Sequence, residues 1–224
     1  MERALQMAYK VESVYRSSRK RPASQTSVTG AGVVLMENYR NKAGKEGPAV
    51  ILFRNIKTGS YQDGGGNIDQ GESPEMTALR ELQEESANLF RLSPDSLQDC
   101  PVYDHQDKYR AYALGVHHPN GIQSAHYDTN VKKLAEANAS SCWQETDVMA
   151  RFYIDEIQDG LSNKGPLECT DANGNRCVIF GRTKACIREL IKDNTKVPMV
   201  TLNFTNNNTK GRHKFLHGTN AYWT

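Results

Sequence analysis

Apolar residues along this 224-residue chain change their spacing at turn-rich breaks, and each change of period proposes an element. Val28, Val33, Val34 and Leu35 make Ser27 to Met36 β-like, and the compact run Ala49 to Arg54 reads as a buried strand; the polar stretch Asn38 to Gly47 joins them as a hairpin. The period then changes. Ala78, Leu79, Leu82 and Leu89 recur at helical spacing after Ser73, a good N-cap, and Pro74, which suits the first helical position. Glu75 adds an acid where the helix dipole welcomes one.

Further on, Val102–Tyr103 and Lys108 to His117 predict two more strands, and His117 to Asn130 reads as a loop. Lys132 to Ala139 reads as a short helix or as an insertion over a pocket. Val148 to Ile154 predicts a strand. Asp171-Ala-Asn-Gly-Asn175 is a turn signal that makes a second hairpin of Pro166 to Thr170 and Arg176 to Phe180. Gly181 to Asp193 reads as an amphipathic helix with Ala185, Ile187, Leu190 and Ile191 inward. Periodicity alone gives an α/β chain with one domain.

Composition adds boundaries. Residues 1–26 carry Arg3, Lys10, Arg16, Arg19, Lys20 and Arg21 against Glu2 and Glu12, and beyond Asn194 there is no acid at all. The chain therefore divides into a basic extension (1–26), a domain (27–193) and a basic polar extension (194–224). A net charge of +2 excludes a strongly basic nucleic-acid-binding domain by global balance. No apolar run is long enough to span a bilayer and no signal-peptide core is present, so a cytoplasmic protein with no membrane partner is expected. Five scattered cysteines without a C-x-x-C pair read as reduced, structural thiols.

The chemistry concentrates after a glycine run, Gly64 to Gly66. On the helix that follows, Glu81, Glu84 and Glu85 fall within an arc of roughly 100°. Like charges at this spacing destabilise a helix, and two of them sit near its negative end. A cation resolves the conflict. Oxygen ligands without neighbouring His or Cys select Mg²⁺ or Mn²⁺, and such ions take further ligands from substrate phosphates. The plain alternative is a solvated acidic face.

The residues also carry a family likeness. Gly66, Glu72, Arg80, Glu81, Leu82, Glu84 and Glu85 stand in register with the Nudix hydrolase box, which the stretch resembles; Ala87 and Asn88 depart from it at the last glycine and the last apolar position. Asn88 can take the left-handed conformation itself, which predicts a shifted helix end. Asp63 stands where many members have proline.

The resemblance implies a Nudix-type α/β/α sandwich with a mixed central sheet. It implies metal-dependent cleavage of a phosphoanhydride in a nucleoside diphosphate linked to another moiety, with the Gly66 carbonyl, Glu81, Glu84 and Glu85 as ligands of Mg²⁺ or Mn²⁺. Glu81 would double as base, Arg80 would orient the glutamates, and Glu72 would pair with Arg80. A further acid from outside the box is expected at Glu145, with Asp147 second. Tyr61, Tyr109 and Trp143 read as core or rim aromatics before base-stacking ones. The partner is a phosphate-bearing small molecule, with capped RNA, diphosphoinositol or dinucleoside polyphosphates as alternatives. A non-catalytic nucleotide- or RNA-binding module is the alternative of another class. Related proteins often dimerise, so a homodimer is an expectation too.

Overall fold

In the computed structural model, residues 28–119, 121–192, 197–202 and 222–223 are described. The basic extension 1–26 and most of 194–224 lie outside the described residues.

The first hairpin forms, with longer arms than the pattern predicts. Strand β1 (Gly30–Arg40) and strand β2 (Glu46–Asn55) pair antiparallel from Leu35↔Ile51 to Arg40↔Glu46. Cross-strand bonding, including Asn38 Nδ2 to Glu46 Oε1 at 3.1 Å, carries the ladder into polar sequence read as turn. Below Leu35 the two strands part. The gap is filled by β3 (Tyr61–Gln62) against β2 and β4 (Gly64–Asn67) against β1, so the glycine run lies inside the sheet.

Eleven strands among the described residues join in one mixed sheet. β5 (Val102–His105) pairs antiparallel with β6 (Tyr109–His117), which runs parallel to β1. β7 (Thr146–Tyr153) pairs antiparallel with the far side of β2. The second hairpin, β8 (Leu167–Thr170) and β9 (Arg176–Ile179), joins β3 through the parallel pair Tyr61↔Ile179. β10 (Val197–Thr201) extends the sheet beside β6, with β11 (Tyr222–Trp223) outside it.

Alternation along β1 and β2 sends side chains to opposite faces and so builds two cores. Ala31, Val33, Leu35, Ile51 and Phe53 share one core with Ala78 and Leu82 of helix α1 (Pro74–Glu85) and Tyr127 of helix α2 (Ser124–Glu136). Val34, Met36, Val50 and Leu52 share the other with Ile154 and Ile157 of the short helix α3 (Ile154–Ile157) and Cys186, Ile187 and Leu190 of helix α4 (Gly181–Ile191). Helices on both faces of a mixed sheet make an α/β/α sandwich.

Three further elements depart from the pattern. Helix α2 starts at Ser124, inside the predicted loop, and it buries only Tyr127. Tertiary anchors explain this: buried Arg151 donates to Ser124 Oγ at 2.9 Å and to the Ile122 carbonyl, and Tyr127 Oη donates to Thr146 Oγ1 at 2.9 Å. In α4 the buried residues include Thr183, Lys184 and Cys186, while Ala185 and Ile191 are only half-buried. Strand β7 stops at Tyr153, because Ile154 opens α3.

Candidate active site

Helix α1 starts where the sequence places it. Ser73 Oγ accepts from the Met76 N–H at 3.3 Å. Leu82 and Ala78 are fully buried, and burial of one leucine stabilises by about 1.5–3 kcal/mol, so the apolar stripe fixes which face of α1 meets the sheet. The helix exit uses two left-handed residues, Ala87 (φ 50°) and Asn88 (φ 64°). The Asn88 N–H donates to the Gln83 carbonyl at 2.7 Å, and its Oδ1 accepts from Gln83 Nε2 at 2.8 Å. Asn88 thus closes the helix, but Ala87, buried against the core, shares the conformation that glycine would adopt without strain.

The glycine run packs; each missing side chain makes room for a protein group. A Cβ on Gly64 would stand 2.8 Å from Leu82 Cδ1, one on Gly65 would run into the Tyr109 hydroxyl and Gly32, and one on Gly66 would lie 2.5 Å from both carboxylate oxygens of Glu81. The close approach serves helix α1 and Tyr109.

Arg80 organises the acids. Its Nε and Nη2 donate to the two carboxylate oxygens of Glu72 at 2.9 and 3.0 Å, its Nη1 donates to Glu81 Oε1 at 2.7 Å, and its Nη2 donates to the Asn67 carbonyl at 3.1 Å. Glu84 Oε2 lies 3.6 Å from Nη1 and Asp69 Oδ2 lies 3.5 Å from Nη2. Glu84, four residues on, makes a helix ion pair with Arg80 as well, because the side chain reaches along its own face and across to the loop. Asp69 was missed; its position three residues before Glu72 was the available signal.

Burial pushes the carboxyls of Glu81 and Glu84 above the usual range; Arg80 opposes the shift, and neighbouring acids add to it. For Glu81 those neighbours include Glu145 and Asp69, which brings Glu145 of the far loop to the same site. Burial also pushes Glu72 up, but the Arg80 and Thr77 bonds outweigh it and hold its carboxyl low. Glu145 lies 3.7 Å from Lys57 Nζ. Asp147, the second choice for the outside acid, is held bidentately by Arg54 at 2.9 and 2.7 Å.

Glu85 turns inward. It is 4 % exposed, and its oxygens accept from Gln62 Nε2 at 2.8 Å and the Gly65 N–H at 3.0 Å. One residue beyond Glu84 is 100° round the helix, towards the buried stripe, so the arc expected to present three carboxylates together divides into an outward pair and an inward member. Burial and the nearby Asp63 push the Glu85 carboxyl well up. Asp63 itself is fully buried: Tyr109 Oη and Thr183 Oγ1 each donate to it at 2.5 Å, and Arg182 Nη2 lies 3.8 Å away. Tyr109 is therefore a buried donor, and Tyr61 packs edge-on to Phe152 at 5.2 Å. Trp143 is half-buried in a short helical turn (Ser141–Gln144).

Among the described residues no three His, Cys, Asp or Glu side chains already surround a common metal position. The chemistry of the donor set nonetheless fits a hard cation. Glu81 and Glu84 are desolvated, mutually repelling oxygen acids, Glu145 adds to the repulsion at Glu81, and the arginine that balances Glu81 and Glu84 is already shared with Glu72 and Asp69.

No family model matches the sequence, and no curated protein does. Solved structures do. A binary complex of the C. elegans Ap4A hydrolase is similar over 58% of this chain and 84% of its own, at 19% identity and a TM-score of 0.36. An Enterococcus faecalis MutT/nudix family protein is similar over 81% of this chain and 66% of its own, at 14% identity and a TM-score of 0.41. A Nudix hydrolase from M. smegmatis, RenU, is similar over 78% and 90%, at 13% identity and a TM-score of 0.35. These identities and scores assign no activity, and the chemical reading rests on the residues themselves.

Proposed function

We propose that this protein is a divalent-metal-dependent hydrolase of the Nudix type, which cleaves a phosphoanhydride bond in a nucleoside diphosphate linked to another moiety. The observation that carries the reading is the Arg80-centred cluster: Glu81 and Glu84, with carboxyls raised by burial, stand on α1 around one arginine, Glu81 against Gly66, at the positions the box assigns to them.

Glu81, Glu84 and Glu85, with the Gly66 carbonyl, are the residues that would hold Mg²⁺ or Mn²⁺, and Glu145 is the acid on the opposite side. When bound, such an ion neutralises charge that develops on phosphate oxygens as the anhydride breaks. The chain's own groups do the rest. Glu81, with a raised pKa, accepts a proton from the attacking water. Arg80 fixes the Glu81 carboxylate by direct donation, and Glu72 fixes Arg80 from the loop side; both are positioning residues. Gln62 and the Gly65 N–H set the orientation of Glu85.

The test is a substrate screen with Mg²⁺ and with Mn²⁺, using ADP-ribose, NADH, diadenosine polyphosphates, diphosphoinositol phosphates and capped RNA. Product from at least one, abolished by EDTA and by Glu84→Gln or Glu85→Gln, supports the reading. Release from none, with nucleotide still bound, would favour the non-catalytic module.

A further inference from the structure

The hairpin β8–β9 forms one wall of an open cleft of about 1020 Å³, whose other lining includes Ser124 and Asp128 of α2 and Val148 to Ala150 of β7. None of the box carboxylates line it. Two cysteines do: Cys169 on β8 and Cys177 on β9 stand directly opposite each other in register, and both are free thiols. Directly opposed residues point to the same face of a sheet. Cys177 belongs to the core beneath the hairpin, and Cys169, half-buried, packs against that core. The Asp171 N–H donates to the Asn175 carbonyl at 2.9 Å and closes the turn. Counting back from that bond, alternation makes Cys169 and Cys177 a hydrogen-bonded pair with Cα atoms roughly 5.5 Å apart, inside the range that a disulfide spans.

We propose that Cys169 and Cys177 are a redox-modifiable dithiol that closes into a cross-strand disulfide on exposure to a peroxide or a small disulfide. Cys169, the half-buried member, reacts first, as the nucleophile. With a peroxide, its sulfur breaks the O–O bond and becomes a sulfenic acid as one water leaves. The Cys177 sulfur then attacks that sulfur, the S–S bond forms, the S–O bond breaks and a second water leaves with the remaining thiol proton. Two thiols are oxidised and one peroxide is reduced. With a small disulfide such as oxidised glutathione, a mixed disulfide takes the place of the sulfenic acid and two small thiols are released.

Two features set the rate and the reversibility. Burial, and then the neighbouring Cys177, push the Cys169 thiol up to about 12, and burial raises Cys177 too, so closure is slow at neutral pH and accelerates as pH rises. At a hydrogen-bonded pair the Cβ atoms must close from roughly 5 Å to about 4 Å, so the bond is strained and is reopened by mild reductant. Seven intervening residues give the two cysteines no C-x-x-C signature, and it is the turn at Asp171 to Asn175 that sets them opposite each other.

The experiment treats the full reduced chain with hydrogen peroxide or oxidised glutathione at neutral and alkaline pH, then alkylates it after denaturation. The expected result is that three of the five cysteines remain alkylatable, that a peptide pair containing Cys169 and Cys177 is linked with loss of two hydrogens, and that dithiothreitol restores all five. Cys169→Ser should abolish the linkage and leave every remaining thiol alkylatable. Because this side chain is half-exposed, the variant is expected to fold; Cys169→Ala is the second form should serine disturb the core. Retention of all five thiols at alkaline pH, a linkage between other cysteines, or a stable mixed disulfide on Cys169 that Cys177 does not resolve would each overturn the proposal. The outcome is independent of the hydrolase reading.

Discussion

Arg80→Ala tests whether the acids of the candidate site form a desolvated cluster or a wet surface. Arg80 donates to both Glu72 oxygens, to Glu81 and to the Asn67 carbonyl, and lies within 3.6 Å of Glu84 and 3.5 Å of Asp69. Its side chain is 27% exposed, and those of Glu72, Glu81 and Glu84 are 17%, 16% and 14% exposed. Removing one partner of a buried pair costs about 3–5 kcal/mol, whereas a surface pair is worth about 0–1 kcal/mol. Exposures in this range place the cluster at the lower end of the buried class, at about 3 kcal/mol. For a domain of this size that corresponds to a fall in Tm of roughly 6–12 °C. The assay is urea unfolding in EDTA, so that no added cation replaces the arginine. Arg80→Lys separates charge from geometry: the ammonium lacks the planar fork and should recover less than half of the loss. A loss below about 1 kcal/mol, or full recovery with lysine, would refute the reasoning, since either means that the bidentate bonds carry no weight.

Four further predictions follow from the same structure. Gly66→Ala places a Cβ 2.5 Å from the Glu81 carboxylate oxygens, and the activity of the best substrate in the screen should fall about 10- to 100-fold, measured as kcat/KM, with the loss concentrated in metal affinity. Mn²⁺ at one hundred times its Kd should stabilise the wild-type protein by about 2.7 kcal/mol in thermal unfolding, and Glu81→Gln with Glu84→Gln should remove most of that shift. Arg151→Met leaves Glu37, 5% exposed, without the guanidinium that donates to it at 2.7 Å, and should cost about 3–5 kcal/mol at neutral pH by urea unfolding. The Glu37 carboxyl is raised by burial even with Arg151 present, so the folded state binds its proton more readily than the unfolded one does. The penalty of the variant should therefore shrink as pH falls through the raised value, and a penalty that grows on acidification would contradict this sign. Asp63→Asn leaves the Tyr109 and Thr183 hydroxyls with a weaker acceptor and should cost about 1–3 kcal/mol.

Local signals in the sequence determined a good deal. The Ser73-Pro74 start of α1, the turn at Asp171 to Asn175 and the hairpin of β1 and β2 depend on contacts a few residues apart, so propensity and period suffice to place them. The register of Gly66, Glu72, Arg80, Glu81 and Glu84 was legible for the same reason, since β4, one loop and one helix, consecutive along the chain, hold them all.

What the sequence left undecided is set by groups distant along the chain. Helix α2 carries only a short apolar stripe, Tyr127, Val131 and Leu134, and its start is fixed by Arg151 and Thr146 of β7. Glu85 parts from Glu84 because Gln62 and Gly65, 23 and 20 residues earlier in number, offer donors only once β3 and β4 fill the gap between β1 and β2. The same insertion makes the glycine run a packing surface for Leu82, Tyr109 and Glu81. Periodicity reports which face of an element is apolar, and tertiary packing decides which polar atoms on that face find partners.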